Sequence, residues 1–389
     1  MMLGDLGIEE YKPSKEAVAI IVGPNGSGKS TYLRDLANHY RFNREVTVVC
    51  NTPHDRFLGI RHIHRISVGR PGQSAKSVIK DAIAKTIDEA DSRFYQIASI
   101  LEYCGYRPKF GFTIDEPSRR RKFYELSEAT KADFANDQDF ERAISFLERR
   151  GPYDPIWIDP TEPVLSFTRA REFSSVLRYE SVLRKEGVIR GVRVYLERKD
   201  GEVIELHRAS SGQLSLISSL LFLITTVKEN PIIIIDEPEN SLHPSWQREY
   251  IDKILAAMSY RNATLIVATH APLIVTGAMS ENPSLVSVFQ IQGGRPTKVR
   301  LEEHKGSSSG IEEILWRAFE VVTPANHFVS EQIVGEISRF EKGEVDKAAV
   351  LAMINEMEQG SFDERQIGFF GAVRQLLDKV ENSRTTGDS

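Results

Sequence analysis

The octapeptide Gly23-Pro24-Asn25-Gly26-Ser27-Gly28-Lys29-Ser30 follows an apolar run and precedes a stretch of helical character. These residue types at this spacing build a cradle for phosphate. The glycines let successive backbone N–H groups turn inward around α- and β-phosphates, and the helix N-terminus adds positive potential. Lys29 is placed to reach the β- and γ-phosphates, and the Ser30 hydroxyl to ligate Mg²⁺. With Thr31, residues 23–31 form the candidate ATP-binding set.

Asp236 and Glu237 stand directly after four isoleucines, Ile232 to Ile235. A carboxylate at the C-terminal end of a buried strand faces the crevice where open α/β sheets bind ligands. Asp236 there suits a second contact to Mg²⁺ or its waters, and Glu237 can orient or deprotonate an attacking water. Ser210-Ser211-Gly212-Gln213 opens a long apolar stretch with hydroxyls and a glycine. At a helix N-terminus that combination is an anion-binding surface, although serine is also an ordinary cap. His270 ends the run Ala263-Thr-Leu-Ile-Val-Ala-Thr-His.

In their order along the chain these motifs resemble the ABC ATPase superfamily. Ala209-Ser210-Ser211-Gly212-Gln213 is similar to the ABC signature, usually Leu-Ser-Gly-Gly-Gln, with Ala for Leu and Ser211 for the first Gly. The resemblance implies that Ser210, Ser211, Gly212 and Gln213 act in trans on the γ-phosphate held by an opposite subunit. It makes His270 the switch histidine and Asn240, Ser241, Leu242 and His243 the D-loop across the dimer seam. It implies ATP and Mg²⁺ as cofactors, with Lys29, Glu237 and His270 catalytic and Ser30 and Asp236 holding the metal. The family's Q-loop glutamine has no clear counterpart; Gln73 is the candidate, also as a Mg²⁺ ligand, and Asn51 the alternative. Asp236-Glu-Pro-Glu-Asn-Ser-Leu-His-Pro244 with Ala268-Thr-His-Ala-Pro272 resembles the SMC/RecF-like branch. Stand-alone prokaryotic ATPases of repair and of anti-phage systems, Septu-like and PARIS-like ones among them, are similar. Transporter subunits share the fold but place the signature closer to the phosphate loop.

The elements that must position these groups point to an α/β fold: a P-loop ABC-ATPase head with an α+β insertion and a C-terminal helical extension. Ala17–Val22, Val46–Cys50, Arg61–Val68, Ile232–Ile235 and Ala263–Ala268 read as strands, most of them apolar throughout as in a parallel sheet. Lys76 to Tyr103 has one helical stripe, 107–115 reads as a strand, and helices are expected over 138–150 and 171–186. Val188–Leu196 and Val203–His207 flank a hairpin turn at Arg198-Lys199-Asp200-Gly201. A closing hairpin of Val286–Gln292 and Lys298–Glu302 is expected around Gly293-Gly294. The division expected is 1–75 and 206–304 for the two halves of the ATPase core, 76–205 for the insertion and 305–389 for the extension. Only about sixteen residues precede the phosphate-loop strand, so the family's usual antiparallel strands there are shortened. The last residues, from about Asn382, are expected to be disordered.

Net charge is −5, which excludes a globally basic nucleic-acid binder, but the charge is uneven. Between Arg34 and Lys80 nine Lys/Arg face three acids, and from Val329 onward twelve acids face seven bases. DNA or RNA contact through 34–80 is therefore one expected partnership. A homodimer or higher homo-oligomer bridged by ATP and a separate effector protein on the C-terminal helices are the others. The second of two readings, a regulator of a nuclease or toxin effector in a prokaryotic defence system, is preferred to a DNA-clamping repair ATPase. No run approaches the ~18 apolar residues of a membrane span, and the start does not read as a signal peptide, so a cytoplasmic protein without membrane partners is expected. His54, His62 and His64 lack further ligands at convincing spacing, and Arg119-Arg120-Arg121-Lys122 reads first as solvated charge. Cys50 and Cys104, far apart, read as reduced and inert.

Overall fold

The computed structural model describes residues 2–9, 15–67, 75–89, 93–117, 125–149, 155–159, 165–240, 242–259, 261–301, 309–320, 327–359 and 364–387. A seven-stranded sheet runs through it in the order β11-β10-β1-β9-β8-β2-β3. Its strands are β1 (Ala17–Val22), β2 (Val46–Cys50), β3 (His64–Ser67), β8 (Ile232–Asp236), β9 (Thr264–Ala268), β10 (Val286–Gln292) and β11 (Arg295–Lys298). All neighbours pair in parallel except β10 and β11. Both faces of its centre are covered, which is why β1, β8 and β9 are apolar along nearly their whole length, while the edge strands β3 and β11 carry polar residues. Val18, Ile20, Val22, Ile233, Ile235, Leu265 and Val267 enter one core. Ala19, Ile21, Ile232, Ile234, Ile266 and Ala268 enter the other.

The second core is closed by α1 (Lys29–Tyr40) and by the 3-10 turn Leu3–Leu6, whose Leu3 N–H donates to the Tyr40 hydroxyl at 2.9 Å. Among the described residues no strand precedes β1. The first core is far larger. It takes in α8 (Ser211–Thr226), α9 (Pro244–Ala257) and α10 (Pro272–Glu281), and continues without interruption into residues 79–206.

That segment begins with α2 (Ala75–Glu89) and α3 (Arg93–Tyr103), two helices where one stripe is legible; residues 90–92 between them lie outside the described set. A four-stranded antiparallel sheet follows, in the order β5-β4-β6-β7, from β4 (Tyr106–Asp115), β5 (Ile156–Ile158), β6 (Gly191–Arg198) and β7 (Val203–Glu205). Its helices are α4 (Glu128–Asp133), α5 (Gln138–Arg149), α6 (Leu165–Arg178) and α7 (Glu180–Lys185). The helix expected over 171–186 is thus two, parted at Tyr179, whose ring packs edge-on against Phe134 and Phe140.

Two further expectations are corrected. The hairpin after β10 closes at once, because Gly293 (φ 57°) and Gly294 (φ 79°) supply both positive-φ positions of a two-residue turn. Gln292 therefore pairs with Arg295, and β11 ends at Lys298 where a strand was expected to begin. The last helix, α14 (Glu364–Gly387), continues through the segment expected to be disordered. Phe370, Val373 and Leu377 anchor it in a core shared with α12 (His327–Glu341) and α13 (Lys347–Gln359), and extension of an anchored helix is favourable. Ahead of these three, α11 (Ser309–Phe319) sends Ile314 and Ala318 into the large core instead.

Candidate active site

The register of the parallel sheet brings the separate motifs to one edge. Cys50 and Ala268 both pair with Asp236, and Ile21 pairs with Ala268, so the chain leaves β1, β2, β8 and β9 at one level. Gly23, Asn51, Glu237 and Thr269 come immediately after those strand ends.

In the loop after β1, Gly23 (φ 149°) has no room for a side chain. A Cβ there would lie 2.9 Å from Ser27 Oγ and 3.1 Å from the Ile291 carbonyl. Gly28 (φ 98°) caps α1. Lys29 is almost fully buried and folds back over the loop, donating to the carbonyls of Gly23 at 2.8 Å and Pro24 at 3.1 Å. Burial lowers its pKa, against the pull of Glu237, Asp236 and Glu239. The ammonium thus rests on neutral carbonyl acceptors while it feels the charges of three carboxylates.

Asp236 is fully buried, and Ser30 Oγ donates to its Oδ1 at 3.1 Å. Among the described residues its Oδ2 has no hydrogen-bond partner. Burial raises the pKa of this carboxyl to about 6, with the Glu237 and Glu239 charges adding to the rise and Ser30 and Lys29 opposing it. A buried carboxylate with one bare oxygen beside a serine hydroxyl is the donor set a hard divalent cation takes, so the residues present fit Mg²⁺.

Glu237 occupies the left-handed region at φ 51°, a strained place for a non-glycine residue, held by its N–H donating to Ala268 O at 2.9 Å. Its Oε2 accepts from Asn240 Nδ2 at 3.1 Å, and its Oε1 lies 3.7 Å from His270 Nε2. Asn240 Nδ2 also reaches the Asn51 carbonyl, at 3.2 Å. Burial and Lys29 lower the His270 pKa, while Glu237 raises it.

Asn51 thus lies beside the carboxylates, its N–H donating to Asp236 O at 3.1 Å. Gln73 and Ser241 lie outside the described residues. Leu242 is buried in the large core, and His243 caps α9, accepting from Ser245 N at 3.3 Å.

Ser210, Ser211, Gly212 and Gln213 stand apart from this group. Ser210 caps α8 in a capping box with Gln213, whose Oε1 also accepts from Tyr106 OH at 2.7 Å and whose Nε2 donates to Cys104 O at 3.0 Å. Ser210 and Ser211 are exposed. Among the described residues, the hydrogen bonds of Ser210 and Gln213 run to each other and to the α3–β4 turn, none to the phosphate loop.

One residue at the site is not legible in sequence. Glu239 accepts from Thr269 Oγ1 at 2.8 Å and from the backbone N–H of His270, and Thr269 Oγ1 accepts in turn from Ala271 N at 2.9 Å. Burial raises its pKa, against those hydrogen bonds. Its place two residues after Glu237 was the available signal, but nothing local shows that β9 lies beneath it.

Residues 62–276, more than half of the chain, match the family described as "AAA domain, putative AbiEii toxin, Type IV TA system". The match includes Ser210–Gln213, Asp236, Glu237 and His270, and not the phosphate loop. The chain is 30% identical over 100 residues to the "Retron Vc95 probable ATPase" of Vibrio cholerae serotype O1 biovar El Tor, covering 23% of this chain and 19% of that protein. It is 31% identical over 70 residues to protein ea59 of Escherichia phage lambda, covering 18% and 13%. The matched segments span less than a fifth of either relative. Among solved structures, an ATP-binding cassette of an ABC transporter in its ADP conformation aligns with TM-score 0.32 and 14% identity over 79% of this chain and 87% of that one. The SMC head domain from Thermotoga maritima aligns with TM-score 0.28 and 12% identity over 75% and 92%. No helix of the described residues is long and apolar enough to cross a membrane.

Proposed function

The chain belongs to this AAA-domain family of ATPases, and from that membership we propose that it hydrolyses ATP at a composite site closed between two copies of itself. One observation carries the reading: a lysine-bearing phosphate loop, a serine–aspartate pair with a bare oxygen, and a strained glutamate beside a histidine meet at one sheet edge.

Lys29 exchanges the Gly23 and Pro24 carbonyls for β- and γ-phosphate oxygens. Ser30 and Asp236 would hold Mg²⁺, which would neutralise charge on the phosphates during transfer. Glu237, oriented by Asn240, would accept a proton from the water that attacks the γ-phosphorus as ADP leaves, and His270, 3.7 Å from Glu237, would contact the γ-phosphate. Among the described residues, the helix end at Ser210, Ser211 and Gly212 makes no hydrogen bond to the phosphate loop. Exposed and tied to the α3–β4 turn, it suits the nucleotide of a second copy. Asn240, Ser241, Leu242 and His243 would border the seam, and Asn51 or Gln73 would sense the γ-phosphate.

The assay is complementation. Lys29→Ala removes the principal cation on the phosphates, and Ser211→Arg blocks the helix end; each alone should be inactive. A mixture should regain partial hydrolysis, since each mixed dimer holds one intact composite site. No recovery, with both variants folded and associating, refutes a shared site.

The regulated partner in this reading is a toxin or nuclease encoded separately, docked on α12–α14. These helices have a core of their own and lie in the segment with twelve acids against seven bases. A chain cut after Glu320 keeps Ile314 and Ala318 in the large core and should hydrolyse ATP without capturing the partner from its native host. Retained capture refutes the docking role.

A further inference from the structure

At the far end of α1 from the phosphate loop lies a surface that the ATPase reading does not use. Phe42 follows α1 and is 68% exposed, and Leu58 on the loop between β2 and β3 is 66% exposed. The Arg41 guanidinium stacks over the Phe42 ring, 4.6 Å from its centroid. His62 comes to 5.4 Å from the same ring, tilted by 47°. His62 reaches that place in the left-handed region, at φ 63°, a conformation that costs a non-glycine residue free energy. The strain is sustained by a firmly held loop. Phe57 is fully buried, Asp55 Oδ1 accepts the Phe57 N–H at 2.9 Å, and Ile60 and Ile63 pack on the core beneath α1.

The charges here are sorted. Asp55 pairs with Arg65 at 3.2 Å, while Glu45 lies 3.9 Å from His64 and accepts from Lys228 N at 3.3 Å. Arg44 is engaged by the carbonyls of Asn230 and Pro231. Asp55 and Glu45 are therefore occupied, and the third acid, Asp35, is exposed on α1. Among the described residues no carboxylate pairs with Arg41, Arg56 or Arg61, and the last two are exposed. An open aromatic face backed by a guanidinium, with Arg61 next in the chain to the histidine that meets the ring, suits a stacked base and the phosphates on either side of it.

We propose that Phe42, Arg41 and His62, with Arg56 and Arg61, form a stacking platform for single-stranded nucleic acid. A duplex hides its base faces and offers Phe42 nothing to stack on. The platform goes beyond the ATPase reading and does not rest on it. The twelve residues of α1 separate Phe42 from the phosphate loop by about 18 Å.

The test is fluorescence anisotropy of the full chain with a labelled oligothymidylate and with a duplex of equal length, at low and moderate salt. The single strand should bind more tightly than the duplex. Phe42→Ala should weaken it about tenfold, within the range known for one stacked base, and Phe42→Trp should restore it. Arg56→Glu with Arg61→Glu should weaken it further and flatten its salt dependence. ATP hydrolysis should stay within about twofold in all three variants, and Lys29→Ala should bind the oligonucleotide normally. The proposal is overturned if the wild-type chain binds no single strand at low salt, or prefers the duplex. Indifference of the affinity to Phe42→Ala also overturns it. So does loss of a protein partner in these variants with oligonucleotide binding intact, since the surface would then be a protein interface.

Discussion

Replacing Glu239 by alanine should separate the positioning of His270 from the binding of nucleotide. The carboxylate takes one hydrogen bond from Thr269 Oγ1 and one from the His270 N–H, so its loss leaves two donors without their acceptor. Each such group costs about 1–3 kcal/mol when buried. The side chain is only partly covered and water can reach some of the space, so a total near 2–4 kcal/mol of stability is expected. The same loss frees the backbone that fixes the imidazole 3.7 Å from Glu237. A displacement costing about 1.4 kcal/mol at the transition state lowers kcat tenfold. KM for ATP should hardly move, because Lys29 and the phosphate loop are held by other contacts. Glu239→Gln keeps one acceptor oxygen and should fall between alanine and wild type. Steady-state hydrolysis beside thermal melts checks all of this. A folded Glu239→Ala with kcat within twofold of wild type, or with a changed KM and an unchanged kcat, refutes the positioning argument.

Glu237→Gln should still bind ATP but turn over at least about a hundredfold more slowly, measured by phosphate release; normal turnover removes the assignment of Glu237 as base. Asp236 gives a pH-dependent stability in the absence of divalent cations. Its carboxyl titrates near 6 in the fold against 3.8 unfolded, so its contribution is fully present below about pH 4 and is lost as pH rises through 6. The two-unit difference is about 3 kcal/mol. Without Mg²⁺, Asp236→Asn should melt above wild type at pH 7 and level with it at pH 4, and equal melting at pH 7 contradicts the burial argument. Gly277 on α10 has the Arg248 carbonyl where its Cβ would be, 1.8 Å away, and backbone cannot rotate aside. Gly277→Ala should force α9 from α10 and cost at least about 2 kcal/mol in urea unfolding; a neutral substitution would mean that the helices separate freely.

The parts of this protein that sequence determines are those governed by neighbours along the chain. The glycine spacing of residues 23–30 dictates a tight turn between a strand and a helix, and the unbroken apolar runs at 17–22, 232–235 and 265–268 dictate strands buried on both faces. Ser210 followed by Gln213 is enough to start α8. What crosses between elements is decided elsewhere. As sequence Gln73 is the candidate and Asn51 the alternative; the pairing of Cys50 with Asp236 brings Asn51 to the carboxylates, while Gln73 lies outside the described residues. Glu239 becomes a support for His270 only because β9 lies next to β8. The apolar stripes of α11 and α12 look alike in sequence. Yet Ile314 joins the large core and Ile333 a separate one, since periodicity fixes which face of a helix is buried and not what buries it. Hydrogen bonds and hydrophobic contacts between residues distant in the chain depend on strand order and register, and those are settled by packing of the whole sheet rather than by any one segment.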